Sequence, residues 1–125
     1  RQRQMCIRDS SNLEYLSWLS FSSLREKNVE RVSEYGHGGI EDDEWGVADW
    51  YMAVIGEAGE LGNLLKKIKR GDFPLEDVRA DVAHELADVV IYLDLLAAKL
   101  GVDLGAAVRE KFNISSERIG SEVKL

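Results

Sequence analysis

The chain has 125 residues, 23 acidic against 16 basic, for a net charge of −7. That length suits one domain with a modest core. The acidic balance argues against general binding to nucleic acid or anionic membranes, although a phosphate compound can still be held through a metal and a few local cations. A single cysteine, Cys6, allows no internal disulfide and fits a reducing, cytoplasmic setting. No run of about 18 apolar residues marks a membrane span.

Residues 1–10, RQRQMCIRDS, hold three arginines and two glutamines with no apolar period, and read as a non-native-looking or disordered leader. They lack the apolar stretch of a signal peptide. The domain is placed at residues 11–125. Ser10 or Ser11 is a plausible cap for a first helix, whose Leu13, Leu16, Phe21, Leu24 and Val32 keep a loose helical period to about Tyr35. Trp18 and Leu19 fall off that face. The next stretch, GHGGIEDDEWG at residues 36–46, carries four glycines and four acids and reads as a loop. His37 within it is expected to be solvated rather than catalytic. Asp42, Asp43 and Glu44 fit solvent, or the approach to a helix N-terminus, where negative charge is favoured.

A second helix is predicted from Val47 to Arg70, with Gly71 ending it in a left-handed cap. On a helix, residues at i, i+3, i+4 and i+7 share a face. Around Glu57 that face holds Trp50, Ala53, Glu60, Leu61, Leu64 and Ile68. Two carboxylates therefore lie inside an apolar stripe, while Lys66, Lys69 and Arg70 point away from it. A buried carboxylate without a partner costs several kcal/mol or shifts its pKa. Gly56, Gly59 and Gly62 each cost roughly 1 kcal/mol in a helix interior. They predict close approach by another backbone or a ligand, with tight helix packing as the alternative.

Asp72 to Pro74 makes a turn, and a third helix is expected from Leu75 to Leu100, stopped by Gly101. Glu85 and Asp88, again three apart, share a face with Val89, Tyr92 and Leu96. Asp81, one turn before Glu85, is a further ligand or a supporting acid. Lys99 reads as a complement to the helix dipole. Asp103 caps a fourth helix running to about Arg118, on which Lys111, Asn113 and Arg118 would be ordinary surface residues taken alone. The architecture expected is all-α: a four-helix-type bundle with two long central helices that carry the acidic motifs.

Two helices with an acidic pair in each apolar stripe can bring four carboxylates together. Four like charges at one place imply a cation, and an all-oxygen donor set favours Mg²⁺, Mn²⁺ or Ca²⁺ over zinc or copper. Taken singly, an ExxE pair is common on solvated faces and carries little weight. No Ser/His/Asp or Cys/His set, glycine-rich phosphate loop or CxxC competes.

GEAGELGNLLKK, then ELADVVIYLDLLA, then Lys111-Phe-Asn113 with Ser116 and Arg118, resembles the MazG-like nucleotide pyrophosphohydrolases of the all-α NTP pyrophosphatase superfamily. The resemblance runs from about Trp45 to Leu125. It implies hydrolysis of a nucleoside triphosphate to the monophosphate and pyrophosphate with Mg²⁺, Mn²⁺ being the alternative ion, in a homodimer or homotetramer. By that match Glu57, Glu60, Glu85 and Asp88 are the metal ligands, and Glu57 and Glu60 carry the catalytic assignment. Glu60 is the first choice as proton acceptor, although sequence does not separate base from ligand among the four. Lys111, Asn113 and Arg118 match positions that touch substrate phosphates or sugar, and Trp50 is a candidate for stacking on the base, with a core aromatic as the plain alternative. A role in clearing unwanted nucleotides follows from the resemblance alone. Three alternatives are phosphoribosyl-ATP pyrophosphohydrolase, a ferritin-like di-iron protein and a non-catalytic helical module. The second is discounted, because its paired Glu-x-x-His motifs have one counterpart here, Glu34 to His37.

Overall fold

The computed structural model describes residues 19–34 and 38–125, which form four helices and no strand. They are α1 (Phe21–Val32), α2 (Val47–Arg70), α3 (Leu75–Lys99) and α4 (Leu104–Arg118). This agrees with the all-α expectation. The expected leader at residues 1–10, together with Leu13, Leu16, Trp18 and His37, lies outside the described residues.

One boundary differs from its prediction. The first helix was expected to run unbroken from Ser10 or Ser11 to about Tyr35, yet α1 begins at Phe21. Ser20 is extended there, with φ −136° and ψ 168°. Its Oγ accepts from the Ser23 amide at 3.0 Å, and its own amide donates to Ser23 Oγ at 2.8 Å. These side chains take the place of helical backbone partners, so α1 starts here.

α2 and α3 form an antiparallel hairpin and the main packing interface of the molecule. Gly71 turns the chain at φ 90°. Its amide donates to Ile68 O, and the Asp72 amide donates to Lys67 O, both at 3.0 Å. That closes α2 as a left-handed cap closes a helix. Trp50, Ala53, Glu57, Leu61, Leu64 and Ile68 are all buried or half-buried, so the stripe read from sequence is turned inward except at Glu60, which is exposed. The matching face of α3, Glu85, Asp88, Val89, Tyr92 and Leu96, is half-buried throughout. Lys66, Lys69 and Arg70 are exposed, as expected.

The deepest packing lies at one end of the hairpin, where Val32, Ile40, Trp50 and Leu95 form the core under α1 and the loop before α2. A polar network ties α1 to α3 beside it. Asp94, 1% exposed, accepts from Arg25 Nε on Oδ1 and from Asn28 Nδ2 on Oδ2, both at 3.0 Å. Arg25 also donates to Val102 O at 2.9 Å, and Asn28 donates to Ile91 O at 3.1 Å. A buried carboxylate is tolerable with this many partners.

The three glycines of α2 meet no close approach among the described residues. A Cβ at Gly56, Gly59 or Gly62 would meet nothing within 4 Å among the described residues. All three are exposed, so packing against the described residues does not account for them, and approach by a ligand or a second chain is the part of the expectation that stands. The close approach occurs at Gly105, where a Cβ would lie 2.9 Å from Phe21 Cβ and push α4 off α1.

Candidate functional site

The antiparallel pairing places Glu57 of α2 opposite Glu85 and Asp88 of α3. One carboxylate oxygen from each of these three residues lies within 4.8 Å of the others. All three side chains are half-buried. Glu85 Oε2 is buried with no hydrogen-bond partner among the described residues. An orphaned buried oxygen beside two further carboxylates is costly unless a proton or a cation meets it. The donors are all oxygen and sit close enough to share one ion, so the cluster fits a hard divalent cation. The geometry defines an all-α protein with a candidate metal centre between two helices.

Electrostatics agree with the geometry. Burial, then the charges of Glu60, Asp88 and Glu85, raise the Glu57 pKa above the ordinary 4.5. Burial also raises Glu85, followed by Glu60, Asp88 and Asp81, with His84 acting in the opposite sense. The surrounding carboxylates make Glu57 and Glu85 harder to ionise, which is the condition a bound cation relieves.

The fourth predicted ligand, Glu60, stands apart from this trio. It is exposed, and with Asn63, Leu64, Lys67, Asp81, His84 and Glu85 it lines an open groove of about 460 Å³. Its charge still reaches Glu57 and Glu85. A three-residue step on a helix turns 300°, so Glu60 lies 60° round the axis from Glu57 and nearer the rim. Asp81, singled out as a ligand or supporting acid, borders the same groove.

Trp50 is corrected from a base-stacking candidate to a core aromatic. It is 1% exposed, with Trp45 at 4.7 Å and Tyr92 at 6.5 Å between ring centroids. At that burial the ring presents no open face to a base. Lys111 and Arg118 are exposed on α4, which packs on α1 rather than along α2 and α3. The Asn113 side chain is engaged locally, accepting from the Leu125 amide at 2.9 Å and donating to Leu125 O at 3.4 Å. Within one chain these three residues are not brought to the acidic cluster.

Sequence reading passed over Trp45, whose only signal was an aromatic five residues before another. It also gave Lys99 no partner beyond the helix dipole. Its ammonium in fact donates to Ile40 O at 3.0 Å and to Asp42 O at 2.9 Å.

Among known proteins, the chain is 41% identical over 73 residues to dCTP pyrophosphatase 1 of Homo sapiens, covering 54% of this chain and 42% of that protein. The Mus musculus protein of the same name is 38% identical over 72 residues, with the same shares covered. Gene 37 protein of Mycobacterium phage L5 is 38% identical over 64 residues, covering 50% of this chain and 56% of its own. The match spans less than half the length of the two dCTP pyrophosphatases. No family model matches the chain, and no solved structure matches it. The similarity to dCTP pyrophosphatase 1 bears out the resemblance to MazG-like nucleotide pyrophosphohydrolases drawn from the acidic motifs. No helix among the described residues is long and apolar enough to cross a membrane.

Proposed function

We propose that the chain hydrolyses deoxynucleoside triphosphates to the monophosphate and pyrophosphate, with Mg²⁺, and clears unwanted nucleotides in the cytoplasm. The observation that carries this reading is the convergence of Glu57, Glu85 and Asp88 from facing stripes of α2 and α3. The similarity to dCTP pyrophosphatase 1 supports it.

Glu57, Glu85 and Asp88 are the residues that would hold Mg²⁺. A divalent ion held by them would supply charge to offset the triphosphate and would make a coordinated water more acidic. Glu60, on the rim and outside the trio, is free to take a proton from the attacking water. Its exposure leaves it in reach of the groove, where substrate enters. Lys111 and Arg118 balance charge on the departing pyrophosphate. Because α4 packs on α1, a second copy of the chain is the route by which these cations reach the acidic cluster, and the active form is a homodimer or homotetramer.

A nucleotide panel with Mg²⁺, products separated by chromatography, tests the reaction. Deoxynucleoside monophosphate and pyrophosphate are expected. Inorganic phosphate and the diphosphate as first products would exclude attack at the α-phosphorus.

A further inference from the structure

We propose that Lys99 is a positioning residue for nucleotide binding, its ammonium clamping residues 38–46 to the end of α3 and thereby fixing the aromatic wall beside the acidic cluster. The inference rests on the pyrophosphohydrolase reading. Lys99 lies in the last turn of α3, and both of its bonds go to backbone carbonyls of the loop, at Ile40 and Asp42. Those carbonyls belong to a stretch with four acids, Glu41 to Glu44, which one ammonium helps to hold against the body of the protein. Ile40 is anchored in the core against Trp50 and Leu95. The Asp42 amide donates to Gly39 O at 3.2 Å, and Asp42 Oδ1 accepts from the Glu44 amide at 2.8 Å, so the clamp acts on an ordered turn.

That turn delivers Trp45 to Trp50, and Trp50 to Tyr92. Tyr92 is one helical turn from Asp88, about 6 Å along α3, and Trp50 is two turns from Glu57, about 10 Å along α2. The loop, the three rings and the carboxylates therefore follow one another along the same end of the hairpin. Trp45 and Tyr92 are half-buried, and of the two Trp45 is the one whose place depends on the loop. Releasing the two carbonyls frees Trp45 while leaving Glu57, Glu85 and Asp88 on their helices. Binding should suffer and the chemical step should not.

The test compares wild type, Lys99→Met and Lys99→Arg. Steady-state hydrolysis of dCTP with Mg²⁺ is paired with amide hydrogen exchange in the absence of nucleotide. Lys99→Met keeps the aliphatic stem and removes the donors. It should raise KM about tenfold with kcat within about twofold. It should also speed exchange at Asp42 and Glu44, leaving mid-α3 amides protected. Lys99→Arg, which keeps two donors, should stay near wild type in both. Faster loop exchange with an unchanged KM overturns the positioning role, and unchanged exchange overturns the clamp itself. A wild-type protein that turns over no nucleotide sinks the functional reading instead, and the exchange data then report on the clamp separately.

Discussion

At the scale of single residues, two kinds of buried acid divide the labour. Asp94 is fully partnered by Arg25 and Asn28 and serves the fold. Removing one partner leaves a buried charge short of hydrogen bonds. Arg25→Met should therefore cost about 3 kcal/mol, read from denaturant unfolding. A loss under about 0.5 kcal/mol, typical of a surface change, would show that the network is dispensable. Glu57, by contrast, has carboxylates for neighbours. Glu57→Gln keeps its shape and removes a ligand charge, so it should abolish pyrophosphate release with little loss of stability. Lys69→Gln, exposed and turned away from the acidic stripe, should change neither. Full activity in Glu57→Gln would take the trio out of the mechanism.

At the scale of elements, the α2–α3 pair stores electrostatic strain that pH and cations should reveal. Glu57 and Glu85 have folded pKa values raised above 4.5, Glu57 by burial and then by Glu60, Asp88 and Glu85, and Glu85 by burial and then by Glu60, Asp88 and Asp81. A raised carboxyl holds more protons folded than unfolded, so the metal-free protein loses stability as pH rises through the interval between the unfolded and folded values. Above that interval the penalty stays at its full value. A divalent cation takes the place of those protons. Mg²⁺ at about 100 times its dissociation constant should add about 2.7 kcal/mol to the folded state, read as a rise in the thermal midpoint at neutral pH. Glu57→Gln should blunt both the pH slope and the Mg²⁺ response. A flat pH profile with no Mg²⁺ effect would place the carboxylates in solvent. The hairpin turn gives a plainer test of the same element. Gly71 has φ 90°, so Gly71→Ala should cost about 1–2 kcal/mol in unfolding free energy.

At the scale of the whole molecule, the apolar surface asks for a partner. Tyr51, Met52 and Ile55 on α2 are each at least half exposed. Leu86, Val90 and Leu93 make an i, i+4, i+7 stripe on the outer side of α3, and Val108 and Phe112 lie along α4 with Ile119 just past its end. A helix face that meets only water is normally polar, and patches of this extent mark association. Closed two-fold pairing is the commonest solution. Light scattering at micromolar concentration should give at least twice the chain mass of 14.0 kDa. Val90→Lys, placed in the middle of the α3 stripe, should shift the mass toward the monomer and lower activity together. A monomeric wild type would remove the second copy as the source of Lys111 and Arg118.

Sequence alone determined the local features. The 3.6-residue period marked which faces of α2 and α3 turn inward, and Gly71 and Asp103 marked helix ends, because caps and periodicity act over a few residues. The two acidic pairs were legible for the same reason, since a charge inside an apolar stripe is visible without knowing what it meets. Tertiary structure alone decided the rest. The register of an antiparallel pair sets which carboxylates meet, and it gathered Glu57, Glu85 and Asp88 while leaving Glu60 on the rim. It enclosed Trp50 between Trp45 and Tyr92, which no helical wheel of α2 could show. It gave Asp94 partners 66 and 69 residues away, and Lys99 partners 57 and 59 away. Contacts at such separations depend on how helices pack, and helix packing leaves little trace in the spacing of residues along one helix.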